Sequence, residues 1–215
     1  MPTNDSQYSL LDRFIIQADE SLRTLFTTPH ADRAYPADGI DEADLSEQQR
    51  KHVAGLMRVN NAGEVSAQAL YHGQALTARL DDVRETMQHA ADEETDHLNW
   101  CQQRLGELDS QRSVLDPFWY AGSFMIGAVA GAIGDKWSLG FVIETEKQVV
   151  KHLQEHINKL PADDLRTRAV LAQMKADELA HADMAFEAGG IDLPLPVKIL
   201  MGYVSKIMTT LAYRL

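Results

Sequence analysis

The run Asp92-Glu93-Glu94-Thr95-Asp96-His97 decides how this chain is read. A Glu and a His three positions apart on a helix project to the same side. Here that side is otherwise apolar, because Val83, Met87, Ala90, Leu98, Cys101, Leu105 and Leu108 recur at helical spacing around Glu94 and His97. Ionisable groups on a buried stripe are costly unless something pairs with them. The same fragment returns as Asp177-Glu178-Leu179-Ala180-His181, again within an apolar stripe. One such pair is weak, since Glu and His are common on solvated faces. Two of them ask for a metal.

Working outward, two further helices each carry a lone acid in the apolar stripe, Glu64 and Glu146. The order is therefore Glu64, Glu94-x-x-His97, Glu146, Glu178-x-x-His181. Each lone Glu precedes its Glu-x-x-His by a similar interval, enough for a helix, a turn and a return. The chain reads as two copies of one helical hairpin. A lone Glu from two helices and a Glu-x-x-His from the other two is the ligand set of ferritin-like di-iron or di-manganese bundles. Four carboxylates and two imidazoles around two divalent cations are close to neutral, which makes burial tolerable. Hard oxygen and imidazole donors without thiolate suit iron or manganese and argue against structural zinc.

The rest of the pattern is helical. Leu10/Leu11, Phe14/Ile15, Ala18, Leu22 and Leu25/Phe26 form one face of an amphipathic helix. Residues 27–45, with Pro29, Pro36 and Gly39, read as a loop. Ser46-x-x-Gln49 is a capping box opening a helix over residues 47–80, and Asp81-Asp82 begins the next. Residues 118–134 contain no charge and include Gly127-x-x-x-Gly131; Asp135 and Lys136 interrupt, and the chain runs on into the helix of Glu146. Pro161 to Asp164 is a turn and helix start, Gly189-Gly190 stops the helix of Glu178, and residues 197–215 form a last apolar helix. No strand-period segment is present. The expected fold is all-α: a ferritin-like four-helix bundle with additional apolar helices.

Composition sets the class. At 215 residues with 45% hydrophobic side chains the chain can bury a real core. A net charge of −12 argues against a nucleic-acid partner. A single cysteine, Cys101, fits a reducing compartment and excludes thiolate clusters; it reads as a small core residue. Residues 1–9 lack a basic region leading into an apolar one, so no secretory signal is expected. No Rossmann-type glycine fingerprint appears, so no nicotinamide cofactor is expected in that mode. The segment from Pro117 to Gly134 is short of the about twenty apolar residues of a membrane span. Its flanking Trp119, Tyr120 and Trp137 are placed as interfacial aromatics, and the last helix carries only basic charges. Together these favour association with one leaflet over spanning. Close helix packing suits Gly127-x-x-x-Gly131 equally.

Around the ligand set, Gln68, Tyr71 and His72 lie within two turns of Glu64, and His152 lies two turns from Glu146. Each is placed either to hydrogen-bond a ligand or to be a core residue with its own partner. Asp96 and Asp177, next to the ligand motifs, face elsewhere on their helices and read as structural.

Arg58-Val-Asn-Asn-Ala-Gly-Glu64, the block from Asp92 to Leu98, Glu146 with Val149 to Leu153, Asp177-Glu178-Leu-Ala-His181 and the terminal Arg214-Leu215 resemble the demethoxyubiquinol hydroxylases of ubiquinone biosynthesis. The likeness covers residues 58–215; Asn61 departs from it, standing where the family commonly has His. The resemblance implies an O2-dependent di-iron monooxygenase that hydroxylates the ring of a polyprenylated demethoxyquinol held in the membrane. Its metal ligands would be Glu64, Glu94, His97, Glu146, Glu178 and His181. His152 matches a family His near the metals and is the candidate catalytic side chain. Electrons would come through the quinol or from a separate donor. The implied organisation is an N-terminal amphipathic helix and loop (1–45) followed by a ferritin-like di-iron hydroxylase domain (46–215). The implied location is peripheral, on the cytoplasmic face of the inner membrane, as a homo-oligomer or within a biosynthetic complex. Two other classes use some of the same features: a ferroxidase or iron-storage protein, and a non-catalytic lipid-quinone binding protein.

Overall fold

A computed structural model of the chain describes residues 10–215. The expectation of no signal in residues 1–9, and the side chains of Leu10, Leu11, Arg13 and Phe14, lie outside the described residues. Seven helices follow in order: α1 (Leu10–Phe26), α2 (Glu47–Thr77), α3 (Asp81–Glu107), α4 (Asp116–Ile133), α5 (Asp135–Lys159), α6 (Leu165–Glu187) and α7 (Leu195–Ala212). No strand occurs among the described residues.

Local chemistry sets the helix ends. Ser46 caps α2 with the expected box: its Oγ accepts from the Gln49 amide while Gln49 Oε1 accepts from the Ser46 amide at 3.0 Å. Asp164 caps α6 by accepting from the Thr167 amide at 3.1 Å. Gly134, at φ 148°, divides α4 from α5, a conformation that disfavours any side chain. Asp135, next in sequence, accepts from the Arg79 and Leu80 amides and so ties the second hairpin to the turn of the first. The α2 helix ends three residues before the periodicity predicts, because Ala78 already has extended backbone.

Helices α2 and α3 form one antiparallel hairpin, α5 and α6 the other, and the two hairpins make the four-helix core. Two apolar clusters fill it. One contains Val53, Met57, Trp100, Leu105, Leu153, Leu171 and Met174. The other contains Ala75, Val83, Met87, Leu139, Val142 and Ala185. On every core helix the proposed ligand positions fall between the two clusters. The polar centre is therefore sealed above and below by apolar layers. Cys101 belongs to the first cluster, as a core residue.

Helix α4 lies against α2 at very short range. A Cβ at Gly127 would come 2.2 Å from the Leu70 carbonyl oxygen, and one at Gly73 would come 2.2 Å from that of Phe124. The small residues of α4 thus serve helix packing. Its other face stays exposed, with Phe118, Met125, Val129 and Ile133 pointing outward. Among the described residues no helix is long and apolar enough to cross a membrane. Tyr120, placed in the sequence as an interfacial aromatic, is not one. It is buried, with its hydroxyl 2.9 Å from both His72 Nδ1 and Ser21 Oγ. On α1, Gln17 and Thr24 are buried while Ile15, Leu22 and Phe26 are exposed, so of the described apolar stripe only Leu25 packs inward, against the cluster of Val65, Ala69, Leu98 and Tyr120.

Candidate metal centre

The centre is built by four helices at mid-length: Glu64 from α2, Glu94 and His97 from α3, Glu146 from α5, and Glu178 and His181 from α6. All six side chains are buried. Ligand atoms of Glu64, Glu94, His97 and Glu178 all lie within 4.8 Å of one another, and so do those of Glu146, Glu178 and His181. Glu178 is common to both groups. The folding of two hairpins against each other thus brings together every residue that the spacing singles out.

Both imidazoles turn the same nitrogen inward. His97 Nδ1 is 3.2 Å from Glu94, 3.4 Å from Glu64 and 3.3 Å from Glu178. His181 Nδ1 is 3.2 Å from Glu178 and 3.5 Å from Glu94. Each Nε2 points away and meets a carboxylate of the opposite motif: His97 meets Asp177, and His181 meets Glu93, both at 2.9 Å. The acid immediately before each ligand Glu therefore crosses to the other helix and holds its histidine. Such carboxylate–imidazole pairs fix ring orientation and leave the inner nitrogen for a metal. Asp177 thus has a positioning role that its own helical face does not reveal. Tyr71 donates to Glu146 Oε1, the role expected of a ligand's hydrogen-bonding neighbour. Gln68 instead serves the Ala91 carbonyl and Thr95, and His72 serves Tyr120.

The electrostatics test whether cations fit. Burial, then repulsion from Glu94, raises the Glu64 carboxyl well above its usual range. Burial and then Glu178 raise Glu146 in the same way. For Glu94, burial acts upward but is outweighed by the facing imidazoles of His181 and His97, which hold it below the carboxylate range. Burial acts downward on His181, yet Glu178 and Glu94 push it up to about 12. Glu94 Oε1, Glu146 Oε2 and Glu178 Oε1 are buried without a hydrogen-bond partner. The first and third only face an imidazole nitrogen, at 3.5 and 3.3 Å. Unmatched carboxylate oxygens inside a dry cluster are what divalent cations would satisfy. The residues fit two such ions.

Beside the centre lies an apolar cavity of about 280 Å³ between α2, α4, α5 and α7. Its wall includes the buried Glu64 and the exposed side chains of Ile126, Leu200 and Val204. His152 also lines it, with a buried Nε2 that has no partner. Its ring lies edge-on to His156, 4.0 Å between centroids, and His156 Nδ1 lies 2.8 Å from Asn60 Oδ1. Asn61 donates to Asp116 at 3.2 Å, away from the ligand set.

A four-helix core with this Glu and His set buried at mid-length defines the ferritin-like class. A solved structure agrees: a dodecameric thioferritin, the bacterioferritin-related protein of Bacteroides fragilis, aligns with a TM-score of 0.55 at 19% identity. That alignment covers 64% of this chain and 84% of the other. Within the class, residues 51–212 match the family model described as Ubiquinone biosynthesis protein COQ7, and the chain belongs to this family. The chain is 59% identical to a Nitrosococcus oceani protein named 3-demethoxyubiquinol 3-hydroxylase, over 95% of this chain and 96% of that one. It is 56% identical to a protein of the same name from Cupriavidus pinatubonensis, over 95% and 100%. A third, from Pseudomonas putida, is 53% identical over 98% and 99%. Membership in a biosynthetic family sets aside the storage and non-catalytic alternatives.

Proposed function

We propose that this chain is a 3-demethoxyubiquinol 3-hydroxylase of ubiquinone biosynthesis, a monooxygenase with two irons held by Glu64, Glu94, His97, Glu146, Glu178 and His181. The observation that carries the reading is the apolar cavity. Its wall contains Glu64 at the centre and exposed apolar side chains of α4 and α7 at the surface. A ligand with a polar ring and a long isoprenoid tail suits this shape, ring against the centre and tail toward a lipid surface.

When bound, the irons supply the redox chemistry with O2 that puts an oxygen atom on the ring. The chain's own contribution is placement and exclusion. Asp177 and Glu93 hold the two imidazoles with Nδ1 inward, and Tyr71 holds Glu146 by hydrogen bond. The apolar layers and the cavity wall keep water from the reacting ring. Burial pushes the His152 imidazole below its usual range, so it is neutral at physiological pH. Its Nε2 lacks a partner and is the atom suited to a ring hydroxyl of the quinol. His156, braced by Asn60, sets the angle of that ring. Exposed apolar side chains on α4 and α7 seat the protein on one leaflet, on the cytoplasmic face of the inner membrane, where the quinol resides.

The His152 role is tested by His152→Ala. The variant should keep its iron and lose about ten-fold in kcat/KM, the size of a lost hydrogen bond to substrate of roughly 1–2 kcal/mol. Unchanged turnover with intact iron would remove His152 from the site.

A further inference from the structure

The two halves of the centre use the same parts but are backed differently. Glu93, which holds His181, is partly exposed, and its other neighbour is the exposed His89, Nδ1 at 3.3 Å. Asp177, which holds His97, is gripped from outside the bundle. Arg33 reaches over from the segment between α1 and α2, placing Nη2 2.9 Å from Asp177 Oδ2 and Nε 2.6 Å from Asp96 Oδ2. Gln173 donates to the second Asp177 oxygen at 2.9 Å. The guanidinium also lies over the Trp100 ring, 4.7 Å from its centroid, and Trp100 packs against His97 at 5.4 Å. Arg33 therefore braces His97 by two routes, through a carboxylate and through an aromatic ring.

The segment that carries Arg33 is itself pinned down. The Asp32 amide donates to Asp96 Oδ1 at 2.8 Å, and Asn99 Nδ2 donates to the Pro29 carbonyl at 2.7 Å. Further along, Glu42 accepts twice from the fully buried Arg104, at 2.5 and 2.9 Å. Arg166 donates to the Ile40 carbonyl. This strap lies across α3 and α6 and precedes the residues matched by the family model. A guanidinium bridging two carboxylates restricts both, because its donors have a fixed planar arrangement.

We propose that Arg33 is a positioning residue that makes the two metal positions unequal. By fixing Asp177 it fixes His97, so the position formed by Glu64, Glu94, His97 and Glu178 retains its ion longer than the one formed by Glu146, Glu178 and His181. The inference rests on the reading of the cluster as a two-metal centre. It assigns the strap the work of retaining metal, separate from the chemistry on substrate.

The test measures iron release. The full chain is loaded anaerobically with ferrous ion to two per chain, mixed with a chromogenic ferrous chelator, and followed by absorbance. Wild type should release its iron in a fast and a slow phase of equal amplitude. Arg33→Ala should accelerate the slow phase several-fold, toward the about ten-fold effect of losing the partner directly behind a ligand, and leave the fast phase in place. Glu93→Gln should accelerate the fast phase alone. Arg33→Lys, which keeps the charge without the planar fork, should fall between wild type and Arg33→Ala. Helical content by circular dichroism should be the same in all four proteins; a merely structural role for Arg33 would change it or speed both phases equally, and either result overturns the proposal. An unchanged slow phase in Arg33→Ala overturns it too. Two irons leaving wild type in one phase would overturn the inequality while leaving the two-metal reading standing. Fewer than two irons bound by wild type would defeat that reading, and the proposal with it.

Discussion

At the scale of single residues, the centre depends on burial being tolerable for six ionisable side chains at once. Glu94 and His97 on one helix and Glu178 and His181 on another are legible from spacing, because Glu-x-x-His recurs on two apolar stripes. The residues that orient them are only half legible. Glu93 and Asp177 each precede a ligand Glu, a repetition visible in the sequence. Each reaches the histidine of the opposite motif, which depends on how two hairpins pair and not on any local period. The same holds for Arg33, whose partners lie on two helices far along the chain. Asp116 offers a residue-scale test outside the centre. Burial, partly offset by Arg112 and by the Asn61 hydrogen bond, raises its carboxyl from 3.8 to about 7. The folded state then binds that proton more tightly than the unfolded state does. The stability it contributes is full below 3.8 and is lost as pH rises through about 7. Asp116→Asn should therefore gain on wild type in thermal melts as pH rises toward 7, and the difference should level off above it. Parallel melting profiles for the two proteins would contradict the assignment.

At the scale of elements, helix starts are well marked in the sequence, since the Ser46 box and the Asp164 cap both form. Orientation is harder to read. Residues 118–134 fit both a membrane-facing and a packed helix; α4 sets small residues against α2 and turns large apolar ones outward. Tyr120 is drawn inward by His72 and Ser21, partners that no periodicity of α4 reveals. Likewise α1 buries Gln17 and Thr24, with Thr24 donating to Gln68, and turns Ile15, Leu22 and Phe26 outward. Two glycines separate packing from simple helix propensity. Gly127→Ala places a Cβ against backbone and should destabilise the protein by about 1–3 kcal/mol in urea titrations. At Gly122 a Cβ meets nothing within 4 Å, so Gly122→Ala should stabilise by up to about 1 kcal/mol. Equal effects at the two positions would show that the close approach of α4 to α2 is misplaced.

At the scale of the whole molecule, the exposed apolar faces of α4 and α7 and the cavity between them belong to one design. A storage protein needs no apolar cavity beside its ligands; an enzyme acting on a lipid does. The face is tested apart from the cavity by Tyr203→Glu with Ile207→Glu, exposed residues of α7 that do not line it. Wild type should float with vesicles of bacterial lipid. The double variant should lose about ten-fold or more of that partitioning, as expected for charging two seated apolar side chains. Equal flotation of the two would place the membrane contact elsewhere.

Glu178 is the residue on which both halves of the centre converge, since it belongs to both ligand groups. The most direct measurement is the quinone profile by mass spectrometry of cells whose native gene is replaced by one encoding Glu178→Ala. The centre described here predicts that demethoxyubiquinol accumulates and the hydroxylated product disappears, while wild-type replacement restores ubiquinone. Normal ubiquinone levels with Glu178→Ala would contradict it.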